Sequence, residues 1–255
     1  MTTDVLETSE DAVLGGRLRL RQPLKGHRVG HDAILLAVAT GARAAEHAAD
    51  LGAGVGAAGL ALAVRVAGLK VTLIEIDPAL CALAAENARR NRLDDRVDTL
   101  AANVEDVEAL AARLAPASLD RVLMNPPFHD AQRQNLSPDP RRRLAYTATP
   151  GLLPRWIASA AWLLKPQGVL TLVWRAGDLA AVQAALSVEF GSVAVLPVYP
   201  RPEARAIRVL VRAVKSGGGA PVAYPGLVLN DSLGKPSTAA EAVLRGGEAL
   251  ALAEK

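Results

Sequence analysis

"AADLGAGVGAAGLALAVRVAGLKVTLIEI" (residues 48–76) holds one complete supersecondary unit. AADLGA is short and apolar and runs into glycines, which predicts a buried strand ending in a tight turn. GAAGLALAVRVAG has the length and Ala/Leu content of a helix, and the β-branched KVTLIEI predicts a second strand. A strand, a helix and a strand in this order form a right-handed crossover with the two strands parallel.

The same alternation continues downstream. DPALCALAAENARRN is a helix opened by Asp-Pro, with proline welcome at the first helical position. RVDTLAA and VEDVEALAARLA repeat the unit, and LDRVLMN is the fourth strand. LLPRWIASAAWLLK, GVLTLVW and DLAAVQAALSVEFG follow as helix, strand and helix. SVAVLPVYP and AIRVLVRAV are separated only by RPEAR, too little chain for a crossover, so they pair as an antiparallel hairpin. Upstream, HDAILLAVATGA reads as a helix and VLGGRLRLRQP as two short strands around Gly15-Gly16. The expected fold is α/β and Rossmann-like: a seven-stranded, mostly parallel sheet with a C-terminal antiparallel hairpin, helices on both faces and a small N-terminal β-hairpin. Residues 1–27 form the hairpin extension, 28–215 the main domain, and 216–255 a tail packing on that domain. Within the tail, SGGGAP is a flexible joint, GLVLN a strand-like piece and STAAEAVLRGG a helix.

Composition narrows the function classes. A compact chain of 255 residues buries about 70–75% of its unfolded surface and needs no covalent staples. A single cysteine, Cys81, excludes an internal disulfide and fits a reducing cytoplasm. No apolar run approaches the roughly 20 residues of a membrane helix, and the acidic start MTTDVLETSED is unlike a leader peptide. His27, His31, His47, His129 and Cys81 lack zinc-ligand spacing, so no metal is expected. Trp156 and Trp162 fall on a helical stripe and read as core. The net charge of +3 does not by itself mark a nucleic-acid binder. Its distribution is uneven, with clusters at Arg17, Arg19, Arg21, Lys25 and Arg28, at Arg141, Arg142 and Arg143, and at Arg201, Arg205, Arg208, Arg212 and Lys215. Such stripes either follow a phosphate backbone or are solvated surface.

Two constellations carry chemistry. The first is the glycine turn DLGAGVGAAG with its acidic follower. Gly52 and Gly54 let backbone approach a ligand at the carboxyl end of the first main strand, where ligands of open α/β sheets sit. Glu75, closing the next strand, stands where a carboxylate accepts from ribose hydroxyls. Asp50 would repel a dinucleotide pyrophosphate but is favourable beside a cationic sulfonium amino acid. It therefore favours S-adenosylmethionine over NAD, against a plain turn or capping role. Asn103, after the third strand, would meet the adenine edge or else cap a helix.

The second is Asn125-Pro126-Pro127-Phe128, at the end of the fourth strand. Two prolines stiffen an extended path and remove two N–H donors, leaving the Asn125 side-chain oxygen and the Pro126 carbonyl as acceptors. Two fixed acceptors suit a conjugated NH₂ group. Holding its hydrogens out of plane favours a pyramidal nitrogen whose lone pair points at the methyl group. Phe128 offers a stacking face worth about 1–3 kcal/mol for a base. Orientation could supply about 7–11 kcal/mol, so neither a strong base nor a metal is required.

With NPPF after the glycine turn, residues 28–215 resemble the class I S-adenosylmethionine-dependent methyltransferases with an Asn-Pro-Pro-aromatic motif. EDAVLGGRLRLRQPLKGHRVGHDAILLA, DLGAGVGAAGLALA, MNPPF, RVLVRA and PGLVLND more narrowly resemble the tRNA(Val) adenine-N6 methyltransferase family. That resemblance implies that Asp50, Gly52 and Gly54 line the methionine end of the cofactor and Glu75 its ribose. It places Gly30 to Asp32 over the cofactor and Asn125 to Phe128 against the target adenine, with Asn125 adjoining the cofactor too. The chain departs from that family at His31 and Asn103. The implied partner is RNA, tRNA before others, with Arg141, Arg142 and Arg143 holding flanking phosphates. NPPF is shared with guanine-N2 methyltransferases of ribosomal RNA and, as Asn-Pro-Pro-Tyr, with protein-glutamine methyltransferases. From other classes, a NAD-dependent oxidoreductase and a non-catalytic RNA-binding protein stay open at this point.

Overall fold

A computed structural model describes residues 7–25, 28–127, 129–130, 147–148 and 151–253. Its main sheet is built from β3 (His47–Leu51), β4 (Lys70–Glu75), β5 (Val97–Ala101), β6 (Leu119–Met124), β9 (Leu164–Arg175), β10 (Phe190–Tyr199) and β11 (Arg208–Lys215). These seven strands lie in the order β10-β11-β9-β6-β3-β4-β5. The five from β9 to β5 are parallel, and β11 runs antiparallel to both β9 and β10, as the short RPEAR connection requires. The tail extends the sheet further than the sequence reading foresaw. Val222–Ala223 (β12) and Leu227–Val228 (β13) both pair parallel with β10 and cover its outer edge. A separate two-residue pair, His129–Asp130 (β7) and Thr147–Ala148 (β8), follows β6.

Strand residues alternate between two cores, which is the period-two pattern of a sheet covered on both faces. Leu73, Leu123 and Leu210 face a core shared with α1 (His31–Ala39) and α2 (Ala57–Arg65). Their neighbours Ile74, Val122 and Val211 face the other, shared with α4 (Val107–Ala111), α5 (Leu152–Leu163) and α6 (Leu179–Leu186). Between β4 and β5, α3 (Pro78–Arg90) starts as expected, with Asp77 capping the amides of Ala79 and Leu80 and Pro78 in the first turn.

The N-terminal hairpin pairs β1 (Thr8–Val13) with β2 (Leu18–Pro23). Three of the five basic residues in its stripe, Arg19, Arg21 and Arg28, are paired with carboxylates of β1 and α3. Arg19 and Arg90 both bind Glu10, Arg21 binds Glu86 at 2.7 Å, and Arg28 binds Asp11. Hydrogen bonds from Arg19 and Arg90 hold the Glu10 carboxyl below its usual range. At the other end of the chain, α7 (Thr238–Glu241) and the turn after it return over α1 and α2. There Arg17 and Arg65 donate to the carbonyls of Gly246 and Gly247, and the Leu250 amide donates to Val38. No helix among the described residues is long and apolar enough to cross a membrane.

Candidate active site

Strand register assembles the site at the carboxyl edge of the parallel strands. Leu51 is paired with Met124 on one side and with Ile74 on the other, and Glu75 with Ala101. The next residues of β6, β3 and β4 therefore form a row: Asn125, Gly52 and Glu75. At about 4.8 Å per strand the row spans about 10 Å.

The glycine turn is held by its own backbone. Gly52, Gly54 and Gly56 have φ of +71°, +58° and +87°. The amides of Gly52 and Ala53 both donate to the Ile74 carbonyl at 2.9 Å, and the Gly54 amide donates to Glu75 Oε2 at 2.8 Å. At Gly52 a Cβ would stand 2.5 Å from Cη2 of Trp156, whose buried indole backs the turn. At Gly54 a Cβ would meet nothing within 4 Å, so that position opens onto vacant space at the edge of the sheet. The third glycine of the pattern, Gly59, serves packing, since its Cβ would lie 2.3 Å from Leu73.

Both acidic residues are buried, Asp50 at 2% and Glu75 at 7% exposure. Gly56 caps α2 without a side chain, and Asp50 reaches across to accept the Gly59 amide at 2.8 Å, so it does the capping. Burial pushes the Asp50 carboxyl up to about 7; the Gly59 amide opposes this and the nearby Glu75 charge adds to it. Burial also raises Glu75, against the pull of amides from Asp77 and Gly54. Such a carboxylate pair gains from any cation that arrives between them.

Asn125 is the second feature that fits a ligand. Its Oδ1 is buried and has no hydrogen-bond partner among the described residues. A buried acceptor without a donor costs about 1–3 kcal/mol, so the fold keeps an unsatisfied position here. Pro126 is buried and Pro127 half-buried beside it. Phe128 and Arg141, Arg142 and Arg143 lie outside the described residues.

The remaining sequence-derived candidates have partners of their own or face open space. Gly30 is the exposed N-cap of α1 with open space around it. Asp32 is engaged by Arg208 Nε at 2.8 Å, which fastens the start of α1 to β11. Asn103 accepts the Glu105 amide at 3.0 Å in a local turn, while Asp106 caps α4. In the third basic cluster Lys215 caps the end of α5 through the carbonyls of Ala161 and Leu164. A groove of about 470 Å³ lined by Arg155, Ala158, Trp162, Glu189 and Lys215 touches none of the glycine turn or Asn-Pro-Pro residues. No group of three or more His, Cys, Asp or Glu side chains among the described residues is placed to hold a metal ion.

Sequence reasoning passed over two residues that touch the turn. Trp156 lies in the core, as its helical stripe implies, and its ring also fills the space against Gly52, which the stripe does not show. Asn87 of α3 is wholly buried, and its Nδ2 donates to the Val55 carbonyl, inside the turn, at 3.0 Å. The signal available was an amide repeated one helical turn apart in ENARRN.

Residues 28–198 match the sequence profile of the methyltransferase small domain. A tRNA1(Val) (adenine(37)-N6)-methyltransferase of Porphyromonas gingivalis is 33% identical over 150 residues, which cover 57% of this chain and 58% of that protein. A release factor glutamine methyltransferase of Moorella thermoacetica is 35% identical over 130 residues, covering 49% of this chain and 44% of that protein. The chain thus spans less than two thirds of these curated relatives. Among solved structures, a predicted O-methyltransferase, protein Atu636 from Agrobacterium tumefaciens, superposes with a TM-score of 0.72. It is 28% identical, with 86% of this chain and 98% of that one covered.

Proposed function

The chain belongs to the methyltransferase small-domain family and is a class I S-adenosylmethionine-dependent methyltransferase; from that premise we propose that it methylates an exocyclic amine of a nucleobase, adenine N6 in tRNA before others. The observation that carries the choice of acceptor is the buried, unpartnered Oδ1 of Asn125 beside the glycine turn. The bound cofactor supplies an electrophilic methyl group on a sulfonium. Gly54 leaves the backbone open to it, Gly52 lets the turn close against Trp156, and Asp50 and Glu75 contribute negative charge where the amino acid and ribose would rest. Asn125 Oδ1 and the Pro126 carbonyl accept the two hydrogens of the NH₂ group. They hold the nitrogen with its lone pair toward the methyl carbon, and the proton leaves to solvent after transfer.

An O-methyltransferase reading is raised by the Agrobacterium protein's description. An alcohol offers one hydrogen and needs a base to remove it, whereas Asn125 and Pro126 offer two acceptors and no base. The amine is the better fit. The amide NH₂ of glutamine meets the same two acceptors, so the test must separate nucleic acid from protein. The assay is transfer of labelled methyl into bulk RNA and total protein, followed by nucleoside identification. N6-methyladenosine is the expected product. Label confined to protein, or appearing only on oxygen, refutes the nucleobase reading. Asn125→Ala should abolish transfer while S-adenosylhomocysteine affinity stays within about threefold of wild type, the lost contact being made to the acceptor.

A further inference from the structure

We propose that Asn87 is a positioning residue for the cofactor turn, and that through it the N-terminal hairpin is part of the support of the cofactor site. This rests on reading the glycine turn as the cradle of S-adenosylmethionine. The matched family region begins at residue 28, so the hairpin lies outside it.

The geometry is a side-chain imitation of a β-ladder. Arg19 and Arg21 are alternate residues of β2, and both turn their backbone N–H and C=O groups toward α3. The Arg21 amide donates to Asn87 Oδ1 at 2.8 Å, and Asn87 Nδ2 donates back to the Arg21 carbonyl at 3.0 Å. Asn91, just past α3, repeats both bonds with Arg19, at 2.9 and 2.7 Å. Four residues of helix rise about 6.0 Å and two residues of strand about 6.6 Å, so amides one helical turn apart meet successive outward positions of a strand. The helix thereby closes the free edge of the hairpin.

Asn91, the partly exposed C-cap, turns its second Nδ2 hydrogen back to the Asn87 carbonyl at 2.7 Å, whereas Asn87 is wholly buried and sends its second hydrogen out of the helix. That hydrogen goes to the Val55 carbonyl, between Gly54 and Gly56. Every other anchor of the turn noted above leads to β4: the Gly52 and Ala53 amides to Ile74, and the Gly54 amide to Glu75. Val55 sits between two glycines of positive φ, Gly54 and Gly56, whose backbone torsions are the least restricted by side-chain sterics, so its carbonyl needs an external partner to fix its direction. Asn87 selects one of them, and with it the direction of the groups that face the cofactor. Because the same amide is gripped on its other side by Arg21, its orientation is set by the hairpin.

The test is calorimetric titration of S-adenosylhomocysteine into the full-length wild type, Asn87→Leu and Asn91→Leu, each below its melting temperature. Asn87→Leu should bind about tenfold more weakly or worse, the equivalent of one buried hydrogen bond, and Asn91→Leu within about threefold of wild type although both melt earlier. In turnover, KM for the cofactor should rise in Asn87→Leu with kcat little changed. If Asn87→Leu does not fold, Asn87→Asp gives the reading. Its carboxylate keeps the Arg21 amide but faces both carbonyls, and regains a donor when protonated. Its affinity relative to wild type should therefore fall between about pH 6 and about pH 8.5. Equal affinity in wild type and Asn87→Leu, equal losses in the two leucine variants, or a pH-independent Asn87→Asp ratio near one each overturn the positioning role. A wild type that binds no S-adenosylhomocysteine overturns the cofactor reading itself and this inference with it.

Discussion

Asp50→Asn separates two demands that meet on one buried carboxyl. In the folded chain this group is pushed from its ordinary 3.8 up to about 7. At 1.36 kcal/mol for each tenfold, holding it ionised above pH 7 costs the fold about 4 kcal/mol relative to the unfolded chain. Asparagine keeps an oxygen for the Gly59 amide and removes the charge, but introduces an NH₂ group whose burial without a partner costs about 1–3 kcal/mol. The net expectation is a gain of about 1–3 kcal/mol above pH 7, at about 2–4 °C of melting temperature per kcal/mol. The sign follows from proton counting. Between 3.8 and about 7 the folded chain holds a proton that the unfolded chain releases, so wild-type stability falls as pH rises through that window. The variant lacks this term, and its advantage should be full above pH 7 and fade toward pH 4. Thermal melts of the cofactor-free protein at pH 5 and 8.5 measure it. A gain of equal size at both values, or a loss that deepens at pH 8.5, refutes the argument. The same variant should bind S-adenosylmethionine more weakly, because the ionised carboxylate is the form a sulfonium amino acid prefers. Wild-type binding near pH 6.5 should correspondingly release protons, visible as a buffer-dependent binding enthalpy.

Gly52→Ala should cost about 2–4 kcal/mol of stability, since it combines a positive φ with a Cβ against the Trp156 ring. Gly54→Ala should cost only the backbone term of about 1–2 kcal/mol, yet weaken S-adenosylhomocysteine binding far more than its melting temperature indicates, because its Cβ enters the open space. Equal binding by Gly54→Ala and wild type places the cofactor elsewhere. Arg121→Met breaks the 2.7 Å pair with Glu46, whose carboxyl sits below its usual range through Arg121 and the Arg43 amide despite partial burial. That contribution is present above the ordinary Glu value and lost in acid, so the variant's melting deficit should shrink below about pH 4. Glutamate at Arg141, Arg142 and Arg143 together should flatten the salt dependence of RNA binding, and an unchanged slope removes these residues from the interface.

Local patterning made much of this legible. The βα alternation and the missing crossover before AIRVLVRAV gave the sheet and its antiparallel end, because period and loop length are written in consecutive residues. What was not legible depends on partners distant in the chain. β12 is too short to carry a period, and although β13 falls within the strand-like GLVLN, its pairing with the edge of β10 is written in no local pattern. The stripe from Arg17 to Arg28 looked uncompensated because its acids, Glu10, Asp11 and Glu86, come from the opposite strand and from α3. Asp50 was recognised as special, but its capping of a helix nine residues on could not be separated from a ligand role. Asn87 carried only the weak signal of an amide repeated at Asn91, since one buried amide in a helix resembles any surface asparagine until its neighbours are in place.

The indole behind Gly52 makes the protein its own optical probe. Trp156, Trp162 and Trp174 are the only tryptophans, and of these Trp156 abuts the glycine turn at Gly52. With Trp162 and Trp174 replaced by phenylalanine, the emission colour and quenching of the remaining ring would report turn rearrangement in a stopped-flow trace, without a labelled ligand.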